Sequence, residues 1–325
     1  MHPEDLLIKI KKPVQEEIRG FESYFAKQLQ SPVPLLGLIL NRFARNKGKQ
    51  IRPLVIFLTA RMCGNITQKT YVAAAMVELL HIATLVHDDI VDEAYERRNQ
   101  FSINALWKSK KAVLIGDYLL SRGLLVALEN EAPELLQIIA RAVSQMSEGE
   151  LMQYSTSRKN EINIPSYFEV IRKKTASFFS ASSECGAASA TSDNNLIQKA
   201  ATLGEWLGMI FQIKDDLFDY QIVNKSGKPS GNDLSNMKFT LPLLYAMEEA
   251  GMKKKSALLA LARKSEKPLP VFINEFIALY HGFEDTGRKI EELGRQATAF
   301  LEDFPDNEAR ESFAGLIRYL ISRSL

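Results

Sequence analysis

The stretch LVHDDIVDEAYERR, Leu85 to Arg98, sets three aspartates in a DDxxD pattern inside strongly apolar sequence. On a helix turning about 100° per residue, Asp88, Asp89 and Asp92 fall within roughly a 100° arc and make one acidic face. Crowded carboxylates repel one another, and Leu85, Val86, Ile90 and Val91 exclude the water that would screen them. A cation must complete such a face. Ahead of it, from Tyr71, runs a long apolar segment rich in small residues (Ala73, Ala74, Ala75, Ala83), whose pattern predicts one long helix ending at the aspartates.

The motif recurs. FQIKDDLFDY, Phe211 to Tyr220, places Asp215, Asp216 and Asp219 on one face among Phe211, Ile213, Leu217 and Phe218. A single DDxxD is often solvated helix surface, but surface helices do not usually surround the acidic face with large apolar residues, let alone twice. Hard oxygen ligands suit Mg²⁺, which takes one or two carboxylates from each side and completes its shell with water and phosphate oxygens. The pair therefore points to a diphosphate held between two acidic walls by magnesium.

Outward from these clusters the periodicity stays helical. Phe313, Leu316, Ile317, Leu320 and Ile321 form a stripe behind a start signal at Pro305–Asp306, and Ser166 after Pro165 is an N-cap candidate for a helix carrying Tyr167 to Phe179. Alternating strand patterns with tight turns are missing. The expected fold is all-α, a bundle of ten or more helices around a central cavity. Loops are expected near 46–53, 97–104, 155–165 and 224–237.

The chain has 325 residues, 46% hydrophobic and 25% charged, with no linker or low-complexity tract, so residues 1–325 read as one domain. The N-terminus lacks a signal-peptide core and no stretch approaches the ~20 uncharged apolar residues of a membrane span, which predicts a cytoplasmic protein without a transmembrane segment. Cys63 and Cys185 are too few for a disulfide framework and read as buried thiols. A net charge of +2 with dispersed Lys and Arg gives no sign of nucleic acid as a partner.

Basic residues complete the picture. NKGKQIRP places Lys49 and Arg52 three apart beyond Gly48, one a point charge and the other a planar fork. Arg97 and Arg98 follow the first cluster, Lys174 and Thr175 stand in IRKKTASFF, and Lys228 and Lys238 follow the second cluster. Each alone is ordinary surface composition. Together they favour two anion sites.

In this order, GKxxRP, HxxxLxHDDxxD, ERR, KTA, FQxxDDxxD and GKPxGxDL, the chain resembles the trans-isoprenyl diphosphate synthase (polyprenyl synthetase) family from about residue 46 to 242. The resemblance implies an all-helical prenyltransferase bundle, a homodimer using Mg²⁺. It implies that Asp88, Asp89, Asp92, Asp215, Asp216 and Asp219 bind the metals holding an allylic diphosphate, with Arg97, Lys174, Lys228 and Lys238 on the same diphosphate. Isopentenyl diphosphate would sit on Lys49, Arg52, His81 and Arg98, while Thr175 and Gln212 would face the developing carbocation. His87 reads as a packing residue. The chain departs from the family pattern at Asn99, in Met237–Thr240 where GKxT is common, and in KGKQIRP for GGKxxRP.

Product length would depend on the channel floor. Ala83 and Thr84 lie some 6 to 8 Å below the first aspartate at about 1.5 Å per residue, where members of this family that stop early tend to carry bulky aromatics. An open floor implies a long product of octaprenyl type, for quinone side chains. Rival readings are a shorter-chain geranylgeranyl or farnesyl diphosphate synthase, a terpene cyclase and a non-catalytic synthase subunit. The second anion site argues against a cyclase, and the two intact clusters argue against a non-catalytic subunit.

Overall fold

The computed structural model describes residues 3–45, 49–91, 96–97, 100–101, 103–159, 163–226, 239–252, 255–265 and 269–323. Among these the chain is helical almost throughout, with one two-residue antiparallel pair, Glu96–Arg97 with Gln100–Phe101. Four helices build the site: α4 (Ile51–Cys63), α5 (Gln68–Val91), α9 (Ser177–Ala188) and α10 (Asn194–Ser226). They are preceded by α1 (Pro3–Lys11), α2 (Gln15–Gln28) and α3 (Pro34–Arg45). Between α5 and α9 run α6 (Ile103–Glu129), α7 (Pro133–Lys159) and α8 (Ile164–Ile171). The chain ends with α11 (Leu241–Glu249), α12 (Lys255–Lys264), α13 (Leu269–Leu279), α14 (Gly282–Phe300) and α15 (Glu308–Ser322).

Helix α5 explains why the first acidic cluster is held rigidly. Thr70, Val72 to Val77, Leu79, Leu80, Ile82, Ala83 and Val86 are all buried, because α6 packs along it while α4, α9 and α2 cover its other sides. Its small residues allow that close packing. By length and composition α5 is apolar enough to cross a bilayer, contrary to the sequence expectation that no segment would be, with a mean hydropathy of 1.4 over its best window. However, 61% of that window is buried inside the protein, which is how the core helix of a large bundle reads.

A continuous core runs from Ile10 to Leu320. Phe21, Phe57 and Tyr71 meet edge to face where α2, α4 and α5 converge, with ring centroids 5.9 Å and 5.2 Å apart. Helix α9 lies between α4, α7 and α10, so Phe178 and Phe179, fully buried, form the floor between the two acidic helices.

Several boundaries differ from those expected. Helix α8 starts at Ile164, with Asn163 as N-cap and Ser166 at N3 completing a reciprocal capping box, so Ser166 is a member of the first turn and not its cap. Likewise Asn307, not Pro305–Asp306, caps α15, its side chain accepting from the Arg310 N–H. Helices α7 and α10 extend to Lys159 and Ser226, shortening the loops expected there, and α4 begins inside the expected 46–53 loop. The helix expected over Tyr167 to Phe179 is interrupted by a π-helical turn, Arg172–Ala176. Both cysteines are free, Cys185 buried and Cys63 only partly so.

Candidate active site

The last turn of α5 carries Asp88 and Asp89, Asp89 buried at 7% exposure. A helix C-terminus is the negative end of the macrodipole, so carboxylates there are disfavoured twice, by their own repulsion and by the dipole. Across the bundle, in the C-terminal half of α10, Asp216 is buried and Asp215 half-buried while Asp219 is exposed. Burial pushes the Asp215 carboxyl above its ordinary range, opposed by the Arg323 and Arg52 guanidinium groups and reinforced by Asp219. Such a site is built to receive positive charge.

Arg52 ties the two walls together. It sits at the second position of α4, whose N-cap Gln50 adopts a left-handed conformation at φ 51°. One terminal nitrogen of Arg52 lies 2.9 Å from Nε2 of His81 on α5. Arginine only donates, so Nε2 accepts and the proton of this neutral imidazole is on Nδ1. The guanidinium lies over Phe178 and Phe179 of α9, its carbon 5.5 and 4.9 Å from the ring centroids. Its charge also reaches Asp215 on α10. Lys49 donates to the Tyr319 hydroxyl of α15 at 3.1 Å. Arg52 and His81 thus meet near the positive end of α4, with Lys49 two residues ahead of that helix, a setting that favours an anion.

Lys174 and Thr175 stand in the π-helical turn, a distortion frequently found at functional sites. The turn is wedged between two glycines. A Cβ on Gly149 of α7 would lie 2.7 Å from the Lys174 backbone nitrogen, and one on Gly208 of α10 would lie 2.6 Å from the Ala176 Cα. Lys174 pairs with Glu150 at 2.6 Å and Gln153 at 2.9 Å. Thr175 donates to Gln212 Oε1 at 2.7 Å, and Gln212 Nε2 donates to Asp216 Oδ1 at 2.9 Å. Both residues assigned to the reacting centre therefore belong to one chain of hydrogen bonds ending on the second acidic cluster.

Thr84 donates to the His81 carbonyl at 2.9 Å, and Ala83 is buried, at 2% exposure. His87 turns toward α6, with Nε2 3.5 Å from Asp117 Oδ1. Asp92, Arg98, Lys228 and Lys238 lie outside the described residues, as does the side chain of Arg97. Among the described residues no three acidic, histidine or cysteine side chains are gathered closely enough to hold an ion unaided.

Three partners escaped sequence reading. Tyr167 of α8 donates to Asp216 Oδ2 at 2.5 Å. Arg323, following α15, pairs with Asp215, donates to the Phe211 carbonyl at 3.1 Å and stacks on Phe211 at 4.4 Å. Tyr319 holds Lys49. All come from elements remote in sequence, and no motif spacing signals them.

Residues 33–272 match the polyprenyl synthetase family model. The chain belongs to the polyprenyl synthetase family. It is 31% identical to octaprenyl diphosphate synthase of Escherichia coli K12, over 98% of this chain and 99% of that protein. A crystal structure of a polyprenyl synthase from Caulobacter crescentus, complexed with calcium and isoprenyl diphosphate, superposes with a TM-score of 0.87 at 30% identity, covering 98% of each chain. A geranylgeranyl pyrophosphate synthase structure from Bacteroides thetaiotaomicron gives a TM-score of 0.81 at 33% identity, covering 98% of this chain and all of that one. The similarity thus spans long-chain and shorter-chain members.

Proposed function

We propose that this polyprenyl synthetase is a Mg²⁺-dependent trans-polyprenyl diphosphate synthase that adds isopentenyl diphosphate repeatedly to an allylic diphosphate such as farnesyl diphosphate. The observation that carries this reading is Arg52, which touches His81 on the first acidic helix and acts on Asp215 of the second, so that a basic anion seat lies between two acidic walls. A cyclase has no need of that seat. Oxygen-only donors, partly desolvated and set at a helix C-terminus, fit Mg²⁺, and the calcium and isoprenyl diphosphate in the Caulobacter relative support this choice.

In this reading Asp88, Asp89, Asp92, Asp215, Asp216 and Asp219 would hold Mg²⁺, which would supply charge neutralisation for the leaving diphosphate. Lys174 exchanges its pairing with Glu150 for the allylic diphosphate, which Arg97, Lys228 and Lys238 also contact. Its present pair is partly exposed and worth no more than about 1 kcal/mol, so the exchange costs little. The allylic C–O bond breaks, and the Thr175 and Gln212 oxygens face the positive charge that develops. Lys49, Arg52, His81 and Arg98 fix isopentenyl diphosphate so that its double bond attacks the cation. A proton then leaves to the departed diphosphate, and the product is again an allylic diphosphate.

The growing chain would run along α5 past Thr84 and Ala83, and the small side chain at 83 supports a long product. The E. coli relative, an octaprenyl diphosphate synthase, supports the same length. Residues 1–325 act as one domain, supported by the continuous core, and as a cytoplasmic protein, supported by the burial of α5. A homodimer is supported by α6, where Leu114, Leu125 and Leu128 share one exposed face.

Incubating purified protein with farnesyl and isopentenyl diphosphates and resolving the products by chain length tests the assignment. Long polyprenyl products are expected. Products ending at geranylgeranyl length would assign the shorter-chain activity, and a cyclised hydrocarbon would overturn the reading.

A further inference from the structure

We propose that Tyr167 is a positioning residue for the metal-dependent step, fixing the Asp216 carboxylate through its hydroxyl in the orientation that meets the ion. The inference rests on the assignment of Asp216 as a metal ligand. Asp216 is buried, and both of its oxygens take protein donors: Oδ1 from Gln212 Nε2 at 2.9 Å and Oδ2 from the Tyr167 hydroxyl at 2.5 Å. A carboxylate has about four acceptor positions, and donors on both oxygens lock its plane. At 2.5 Å the phenol bond lies in the range of short, charge-assisted O–H···O⁻ contacts, roughly twice as strong as neutral ones.

Tyr167 is itself immobilised. It is 6% exposed, its backbone N–H bonds the Asn163 carbonyl at 2.9 Å inside the capping box, and its ring packs edge-on against Phe168 at 5.6 Å. Tyr167 lies seven residues before Lys174, and it acts on the same carboxylate as the Thr175–Gln212 chain, from the opposite oxygen. Outer partners of this kind are worth about 10- to 100-fold in metal affinity.

The test is Tyr167→Phe, which removes the hydroxyl and keeps the ring. The concentration of Mg²⁺ giving half-maximal turnover should rise about 10- to 100-fold, with turnover at saturating Mg²⁺ changed by only a few-fold. Calorimetric titration of Mg²⁺ into protein holding inorganic diphosphate should show the same loss without any turnover. An unchanged Mg²⁺ requirement together with a lowered melting temperature would make Tyr167 a packing residue and overturn the proposal. Asp216→Ala separates the two layers. If it leaves the Mg²⁺ requirement unchanged, the ligand assignment has failed; if it raises the requirement and Tyr167→Phe does not, only the positioning role has failed. A readout without the Phe substitution uses 3-fluorotyrosine placed at position 167: its fluorine resonance should move when Mg²⁺ and inorganic diphosphate are added, and a stationary resonance would overturn the contact.

Discussion

Arg52 shows how much one side chain carries here. Its charge is held by an apolar floor, Phe178 and Phe179, and aimed by His81, so it reaches an anion with little freedom to lose. Arg52→Ala should raise the Michaelis constant for isopentenyl diphosphate far more than that for the allylic diphosphate, because one charge-assisted contact to one ligand is lost. Steady-state kinetics with each substrate varied in turn decide it, and an equal rise for both would count against the division of the two seats. The aspartates were legible as charge in apolar sequence, and Lys49 and Arg52 as two cations three apart beyond Gly48, whereas His81 came only with the family resemblance. Tyr167, Arg323 and Tyr319 were not. Each is an ordinary core or surface residue in its own segment, and only the packing of α8 and α15 against the site gives it a role.

At the scale of elements, helical periodicity revealed the bundle and the long apolar run of α5, but the π-helical turn at Arg172–Ala176 left no trace. Apolar positions on either side of RKKTA keep a helical pattern, so one shifted turn cannot be told from α-helix by spacing. Its real signal is spatial: Gly149 and Gly208 let neighbouring backbones approach it. Gly149→Ala gives a direct check. Alanine in a helix normally gains about 0.5–1 kcal/mol over glycine, whereas forcing a methyl group into a packed contact costs about 1–3 kcal/mol. With the Lys174 nitrogen 2.7 Å from the new Cβ the second effect should win. Urea denaturation should show net destabilisation, and turnover should fall as Lys174 and Thr175 are displaced; a stabilised, fully active variant would mean that the turn yields freely.

At the scale of the whole molecule, the bundle brings the C-terminal turn of α5 and the C-terminal half of α10 to the same region, with α4 and α9 packed between them. If the product grows along α5, Ala83→Phe should stop it early, at about 15 or 20 carbons, since the ring lies roughly one and a half turns below Asp88. Ala83 is buried, so the larger side chain should also cost about 1–3 kcal/mol if the surrounding core does not open there. Chain-length analysis of a folded variant separates the two effects, and an unchanged product distribution would place the channel elsewhere. The central claim is that both aspartate clusters serve one metal-dependent reaction. The measurement that tests it most directly is isopentenyl diphosphate turnover in Asp88→Ala and, separately, in Asp215→Ala, each compared with the melting temperature of the same protein. The account predicts turnover lowered by orders of magnitude in both, with the fold retained because removing a crowded carboxylate relieves repulsion. Near-normal turnover in either folded variant would contradict it.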